Sequence, residues 1–193
     1  MSIIPTEVNM ELFEKTIEQK YVYEGRIINV RSDNAELPDG KPCKREVVEH
    51  PGGVTVAALT QENELIFVRQ FRYPYGKEVL ELPAGKLEKG EDPFKAIKRE
   101  LEEEAGAVAA KYIDLGLYYP SPGYCAEVIH LYGAKELNFT QQKLDDDEFL
   151  KVEKIPLNTA VEMVLNNEIV DGKTQTAVLK MALLSWYNAG ENR

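Results

Sequence analysis

Residues 85–107, GKLEKGEDPFKAIKRELEEEAGA, spell a helix whose charges stand in the wrong place for its own stability. Asp92 is placed to cap it, and Pro93 suits a first helical position, where no backbone N–H is needed. Phe94, Ile97, Leu101 and Ala105 recur at helical spacing as a buried stripe, and Gly106 follows as a stop. On a helical wheel Glu100, Glu103 and Glu104 fall within about 100° of one another, flanking that stripe. Carboxylates at i, i+3 and i+4 repel. They also occupy the last turns, where the helix dipole disfavours anions. Arg99 is expected to project to a different side of the helix. A solvated acidic face is the plain reading of a charge run, but it leaves a cluster adverse at both levels without a reason. A hard divalent cation with oxygen ligands supplies one. Magnesium or manganese fits, because no Cys or His lies nearby to favour zinc.

Working outward, residues 8–16 suggest a short helix. Residues 20–50 read as an antiparallel hairpin with arms near 26–36 and 43–49 and a turn at Leu37-Pro38-Asp39-Gly40. His50-Pro51-Gly52-Gly53 breaks the pattern, so 1–50 is read as an extension and 51–193 as the main domain. GVTVAALT (53–60) and ELIFVRQF (64–71) are buried strands around a Gln-Glu-Asn turn, and EVLELP (78–83) is a strand feeding the glycine loop. Strands are expected near 111–119, 125–133 and 149–155, and helices over 158–167 and from Lys173 to Asn188, stopping near Gly190. Elements interleave around a mixed sheet with helices on both faces, an α/β or α+β class.

The chain has 193 residues, 44% of them hydrophobic, enough for one good core with an extension. A net charge of −10 argues against nucleic acid and against anionic membranes as partners. An anionic substrate would need local cations or metal. Cys43 and Cys125 lie far apart and read as free thiols in a reduced compartment, the cytoplasm. The N-terminus lacks the basic start and apolar run of a signal peptide. No stretch approaches the roughly 20 apolar residues of a membrane span.

Metal bound at the helix carboxylates would occupy them, so any catalytic base must come from elsewhere. Leu144-Asp145-Asp146-Asp147-Glu148-Phe149 is an acidic run just before a strand. A solvated turn is its plainer reading on composition.

The segment 85–107 resembles the Nudix box at Gly85, Glu91, Arg99, Glu100, Leu101, Glu103, Glu104 and Gly106; Ala107 departs from the usual bulky aliphatic. The resemblance implies an α/β/α sandwich around a mixed sheet, here with an N-terminal antiparallel β-hairpin extension. It implies hydrolysis of a nucleoside diphosphate linked to another group. Glu100, Glu103, Glu104 and the Ala84 carbonyl would ligate or position Mg²⁺ (or Mn²⁺), and Arg99 would pair with Glu91. The acidic run would supply the base, Glu148 ranked before Asp146.

Features outside the box are similar to the ADP-ribose pyrophosphatase branch: Arg69-Gln70-Phe71-Arg72-Tyr73 ahead of Glu81-Leu82-Pro83-Ala84-Gly85, Ser121-Pro122-Gly123, and a hairpin with Lys44-Arg45-Glu46. That likeness implies that Arg72 binds a substrate phosphate, Glu46 accepts hydrogen bonds from adenine, and Arg45 or Ile27 lies against its ring. Relatives place an aromatic near Ile27; here Tyr21, Tyr23 or Tyr73 would take that part. Ser121 and Gly123 would shape the wall near the terminal ribose. It further implies a homodimer in which the hairpin crosses to the partner, since a lone hairpin is marginally stable. The expected activity is Mg²⁺-dependent cleavage of ADP-ribose to AMP and ribose 5-phosphate. Another sugar nucleotide such as GDP-mannose is the alternative substrate, and a non-catalytic ADP-ribose sensor a more distant one.

Overall fold

The computed structural model describes residues 12–144 and 148–191, with side chains as far as Tyr187. Asp146 and residues 8–11 of the expected first helix lie outside the described residues. The chain divides into two compact units. One runs to His50 and includes Ser121–Ala126; the other comprises Pro51–Pro120 and the chain from Glu127 onward.

In the first unit β3 (Asn29–Glu36) and β4 (Pro42–Glu49) form the expected hairpin, in register from Asn29↔Glu49 to Glu36↔Pro42. Its turn is closed by the Gly40 N–H donating to the Leu37 carbonyl. The expected helix is corrected: from Lys15 the chain is extended. β1 (Lys15–Glu18) and β2 (Tyr21–Glu24) lie in succession along the other edge of β3, with an irregular register within each pairing. The free edge of β3 needs backbone partners, and Thr16, Ile17, Tyr21, Val22 and Tyr23 favour extended backbone. Residues 121–126 join this unit through Val48, which donates to the Tyr124 carbonyl and accepts from the Ala126 N–H.

In the second unit β5 (Gly53–Ala58) is buried throughout and β6 (Glu64–Arg72) over Leu65 to Val68, and their alternation explains the layering. Ala57, Leu65 and Phe67 enter one core, with Leu131, Leu157, Ile169, Val178 and Met181. Val54, Val56, Ala58 and Ile66 enter another, with Ile97, Leu101 and Ala105. Each strand is therefore apolar on both faces, and helices cover both. α1 (Pro93–Ala105) packs on β5, while α2 (Leu157–Leu165) and α3 (Gly172–Glu191) lie in the other core. This is the expected α/β/α sandwich.

The sheets are of two kinds. β8 (Ala84–Lys86), β5, β10 (Ile129–Phe139) and β9 (Ala107–Tyr118) form a mixed sheet in that order, with β5 and β10 parallel. β11 (Leu150–Pro156), β6 and β7 (Lys77–Glu81) form an antiparallel one. Several boundaries differ from the sequence reading. β9 starts directly after α1, and β10 begins later than expected, because the two pair along nearly their whole length. α3 continues through Gly190; a glycine near a helix end weakens the helix without breaking it. Phe94 is half exposed rather than buried, edge-on to Tyr112 at 5.3 Å between centroids. Among the described residues, no helix is long and apolar enough to cross a membrane.

Leu101 is fully buried between α1 and β5. Leu101→Ala should lower the unfolding free energy by about 2–5 kcal/mol in urea, with the denaturant slope unchanged.

Candidate active site

The carboxylate helix is fixed at both ends. Asp92 accepts from the Lys95 N–H at 3.0 Å, and Gly106 ends the helix in the left-handed region at φ 57°. The carbonyls left over at the C-terminus are then met by residues 140–143. The Lys143 N–H donates to the Glu103 carbonyl at 2.9 Å, the Thr140 N–H to Gly106 at 2.7 Å, and the Gln142 amide to Glu104 at 2.6 Å.

Against this helix lies the loop that leaves β7. The Ala84 N–H donates to the Glu104 carboxylate at 2.9 Å. The Glu100 carboxylate sits directly over Gly85, so close that a Cβ there would occupy the same space. Glu100 and Glu104 are 7% and 3% exposed. Burial pushes the Glu100 carboxyl up to about 7, against the pull of the Arg99 charge. Burial pushes Glu104 up to about 8, against the Ala84 N–H. Glu148 adds its charge to both, as does the repulsion between neighbours in the cluster, so the helix and the segment before β11 meet electrostatically.

Arg99 corrects one expectation. It pairs with Glu91, at 3.2 Å, but also reaches Glu100 at 2.8 Å and Glu103 at 2.9 Å. Its long stem spans one turn, which sets it beside the carboxylates rather than away from them. Among the described residues, no three His, Cys, Asp or Glu side chains converge as a ready-made metal cage. The donor set nevertheless suits a hard cation. Two buried carboxylates repel each other, all nearby donors are oxygens, and the loop carrying the Ala84 carbonyl lies against them.

Arg72 stands at the end of β6 and is gripped by Glu81 of β7, Nε at 2.6 Å and Nη2 at 2.7 Å. Lys173 donates to the same Glu81 carboxylate at 2.5 Å and to Asp171 at 2.9 Å. Burial pushes Glu81 up, but Arg72 and Lys173 outweigh it and hold the carboxyl below its usual range. Sequence reasoning missed Glu81 and Lys173 as members of the site. The signal was present: a charged residue inside the apolar run EVLELP needs a buried partner.

The remaining sequence candidates belong to the hairpin unit. Glu46 and Ile27 are exposed, and Arg45 is tied to Glu14 at 2.6 Å. The Ser121 carbonyl accepts from the Cys125 N–H at 2.9 Å, and Gly123 is open on its Cβ side.

A sandwich with a glycine loop laid on a carboxylate helix defines a class of hydrolases, and the chain belongs to the Nudix family: the NUDIX domain matches residues 49–174. The nucleoside diphosphate sugar hydrolase N-terminal domain matches residues 14–48. The chain is 43% identical over 174 residues, 89% of its length and 94% of the relative's, to a protein of Bacillus subtilis (strain 168) named ADP-ribose pyrophosphatase. It is 43% identical over 172 residues, 88% of its length and 93% of the relative's, to the methanol dehydrogenase activator of Bacillus methanolicus. Among solved structures, an ADP compounds hydrolase matches in fold with a TM-score of 0.78, at 20% identity over 92% of this chain and 95% of that one.

Two outcomes follow from the carboxylate geometry. Gly85→Ala should leave stability nearly unchanged, because the displaced group is a side-chain tip, yet should weaken Mg²⁺ binding by calorimetry. Glu104→Gln keeps an acceptor for Ala84 while removing a buried charge. The wild-type carboxyl is raised in the folded state, so its stabilising effect is complete below about pH 4.5 and is lost as pH rises towards about 8. In chelator, melting curves should therefore favour the glutamine variant increasingly over that window, by at most about 1.4 kcal/mol per pH unit.

Proposed function

We propose that this Nudix hydrolase cleaves the pyrophosphate of ADP-ribose, with Mg²⁺, giving AMP and ribose 5-phosphate. One observation carries the substrate: the similarity to the protein named ADP-ribose pyrophosphatase runs across both units of the chain, hairpin included. The broader description of the N-terminal module supports the alternative, another nucleoside diphosphate sugar such as GDP-mannose.

Bound Mg²⁺ would offset phosphate charge and make water acidic enough to attack near neutral pH. Glu100, Glu103, Glu104 and the Ala84 carbonyl are its proposed ligands. Arg99 braces Glu103 and Glu100 and holds Glu91, whose carboxylate accepts from the Glu88 N–H at 3.0 Å, so one guanidinium orders both loop and helix. Glu148 is the proposed base, supported by its charge acting on both Glu100 and Glu104. Asp146 remains the other candidate. Arg72 uses two of its N–H groups on Glu81 and is 39% exposed at the side chain, which leaves others for a phosphate. Glu46 is assigned to the hydrogen bonds of adenine, Arg45 or Ile27 to its ring, and Ser121 and Gly123 to the distal ribose.

The proposed assembly is a homodimer exchanging hairpin units. Leu12, Phe13, Ile17, Val22 and Tyr23 are exposed apolar residues in that unit, which supports it. The proposed location is the cytoplasm, in keeping with two unpaired cysteines.

The test is phosphate-coupled turnover of ADP-ribose, GDP-mannose, UDP-glucose and nucleoside triphosphates, each with Mg²⁺ and with chelator. ADP-ribose should be preferred and chelation should stop turnover. Preference for another sugar nucleotide would overturn the substrate but keep the chemistry. Glu104→Gln should lose turnover while remaining folded; near-native activity in that variant would sink the metal assignment. Light scattering at micromolar concentration should give twice the chain mass.

A further inference from the structure

We propose that Lys173 is a positioning residue for substrate binding: by sharing the buried Glu81 carboxylate, it fixes the acceptor that holds the Arg72 guanidinium in place. This rests on the reading that Arg72 binds a substrate phosphate.

Glu81 is 2% exposed and must be both paired and hydrogen-bonded. Arg72 forks onto both of its oxygens. The place of that carboxylate therefore decides where the guanidinium stands, and Lys173 meets the same carboxylate. Its ammonium, on a side chain 11% exposed, meets Oε2, the same oxygen that accepts from Arg72 Nη2. Glu81 thus has two cationic partners, and Asp171 balances the second, so what Lys173 supplies is a fixed position for the carboxylate that Arg72 grips.

Lys173 lies in the first turn of α3, where the helix dipole disfavours a cation. What fixes it there is Asp171, two residues before it, together with ties to the β7 end. Asp171 accepts from Lys173 Nζ and from the Thr174 N–H at 3.0 Å, and the Thr174 hydroxyl accepts from the Leu82 N–H at 3.0 Å. Leu82 is two residues from Ala84, so the ammonium is anchored to the backbone that leads into the glycine loop. Among the described residues Lys173 makes its ion pairs with Glu81 and Asp171 and none with Glu100, Glu103 or Glu104; it acts through Glu81 on Arg72.

A double-mutant cycle tests this, using ADP-ribose or whichever sugar nucleotide of the panel is turned over fastest. Lys173→Met should raise KM about tenfold, equivalent to roughly 1.4 kcal/mol, with kcat changed by less than about twofold. Lys173→Arg should recover most of the loss. Arg72→Ala should raise KM too, and Lys173→Met in that background should add nothing. If Lys173→Met fails to fold, Lys173→Gln keeps a polar group for Glu81 and Asp171 while removing the cation and should show the same KM rise. An unchanged KM in the folded Lys173 variants, or effects of Arg72 and Lys173 that multiply, would overturn the proposal. An unchanged KM in Arg72→Ala would instead overturn the phosphate reading of Arg72.

Discussion

Two carboxylates buried side by side on one helix are the constraint around which this protein is arranged. Glu100 and Glu104 are both raised by desolvation, and each is worsened by the other's neighbourhood. No isolated helix would keep them there. The fold keeps them because Leu101 and Ile97 drive the same helix into the core, and the carboxylates, flanking that stripe, are carried down with it. The loop from β7 then supplies an N–H for one and a missing side chain for the other. Stability is spent locally to hold charge where a cation would be welcome.

Much of this was legible in the sequence, because it depends on local pattern. The capping of α1 by Asp92 and Pro93, the αL stop at Gly106 and the hairpin turn at Pro38-Asp39-Gly40 are all short-range decisions. So is the double-sided burial of β5 and β6, announced by apolar runs with no alternation. The parts that were not legible are those decided at long range. β1 and β2 are strands because β3 has an edge to fill, and Lys15–Glu18 alone gives little sign of it. Arg99 was expected to miss the carboxylates since adjacent residues point apart on a wheel; side-chain length defeated that argument. Lys173 was invisible as a site residue because its partner, Glu81, comes from the other half of the domain.

The ties that complete the site share a form. Residues 140–143 cap the helix from beyond β10, and Asp171, Lys173 and Thr174 lock the end of β7 from the start of α3. In each case an element distant in sequence satisfies backbone or charge left over by the central helix and loop. The helix and loop therefore carry the buried carboxylates, and the later part of the chain holds them in place.

The parallel pairing of β5 with β10 sets the order in which a new chain can mature. As the polypeptide leaves the ribosome, the apolar strand Gly53–Ala58 emerges early, while its parallel neighbour Ile129–Phe139 is still to be made. β8 can cover one edge once the glycine loop is out, but the other edge must wait for a long crossover to close. During that interval the nascent chain presents an uncharged, β-branched segment with open backbone groups, the kind of surface that chaperones hold and that aggregates when nothing does. The charged helix that follows, Pro93–Ala105, is made within the same interval, and its carboxylates give the waiting intermediate a measure of solubility that the finished enzyme then turns to another use.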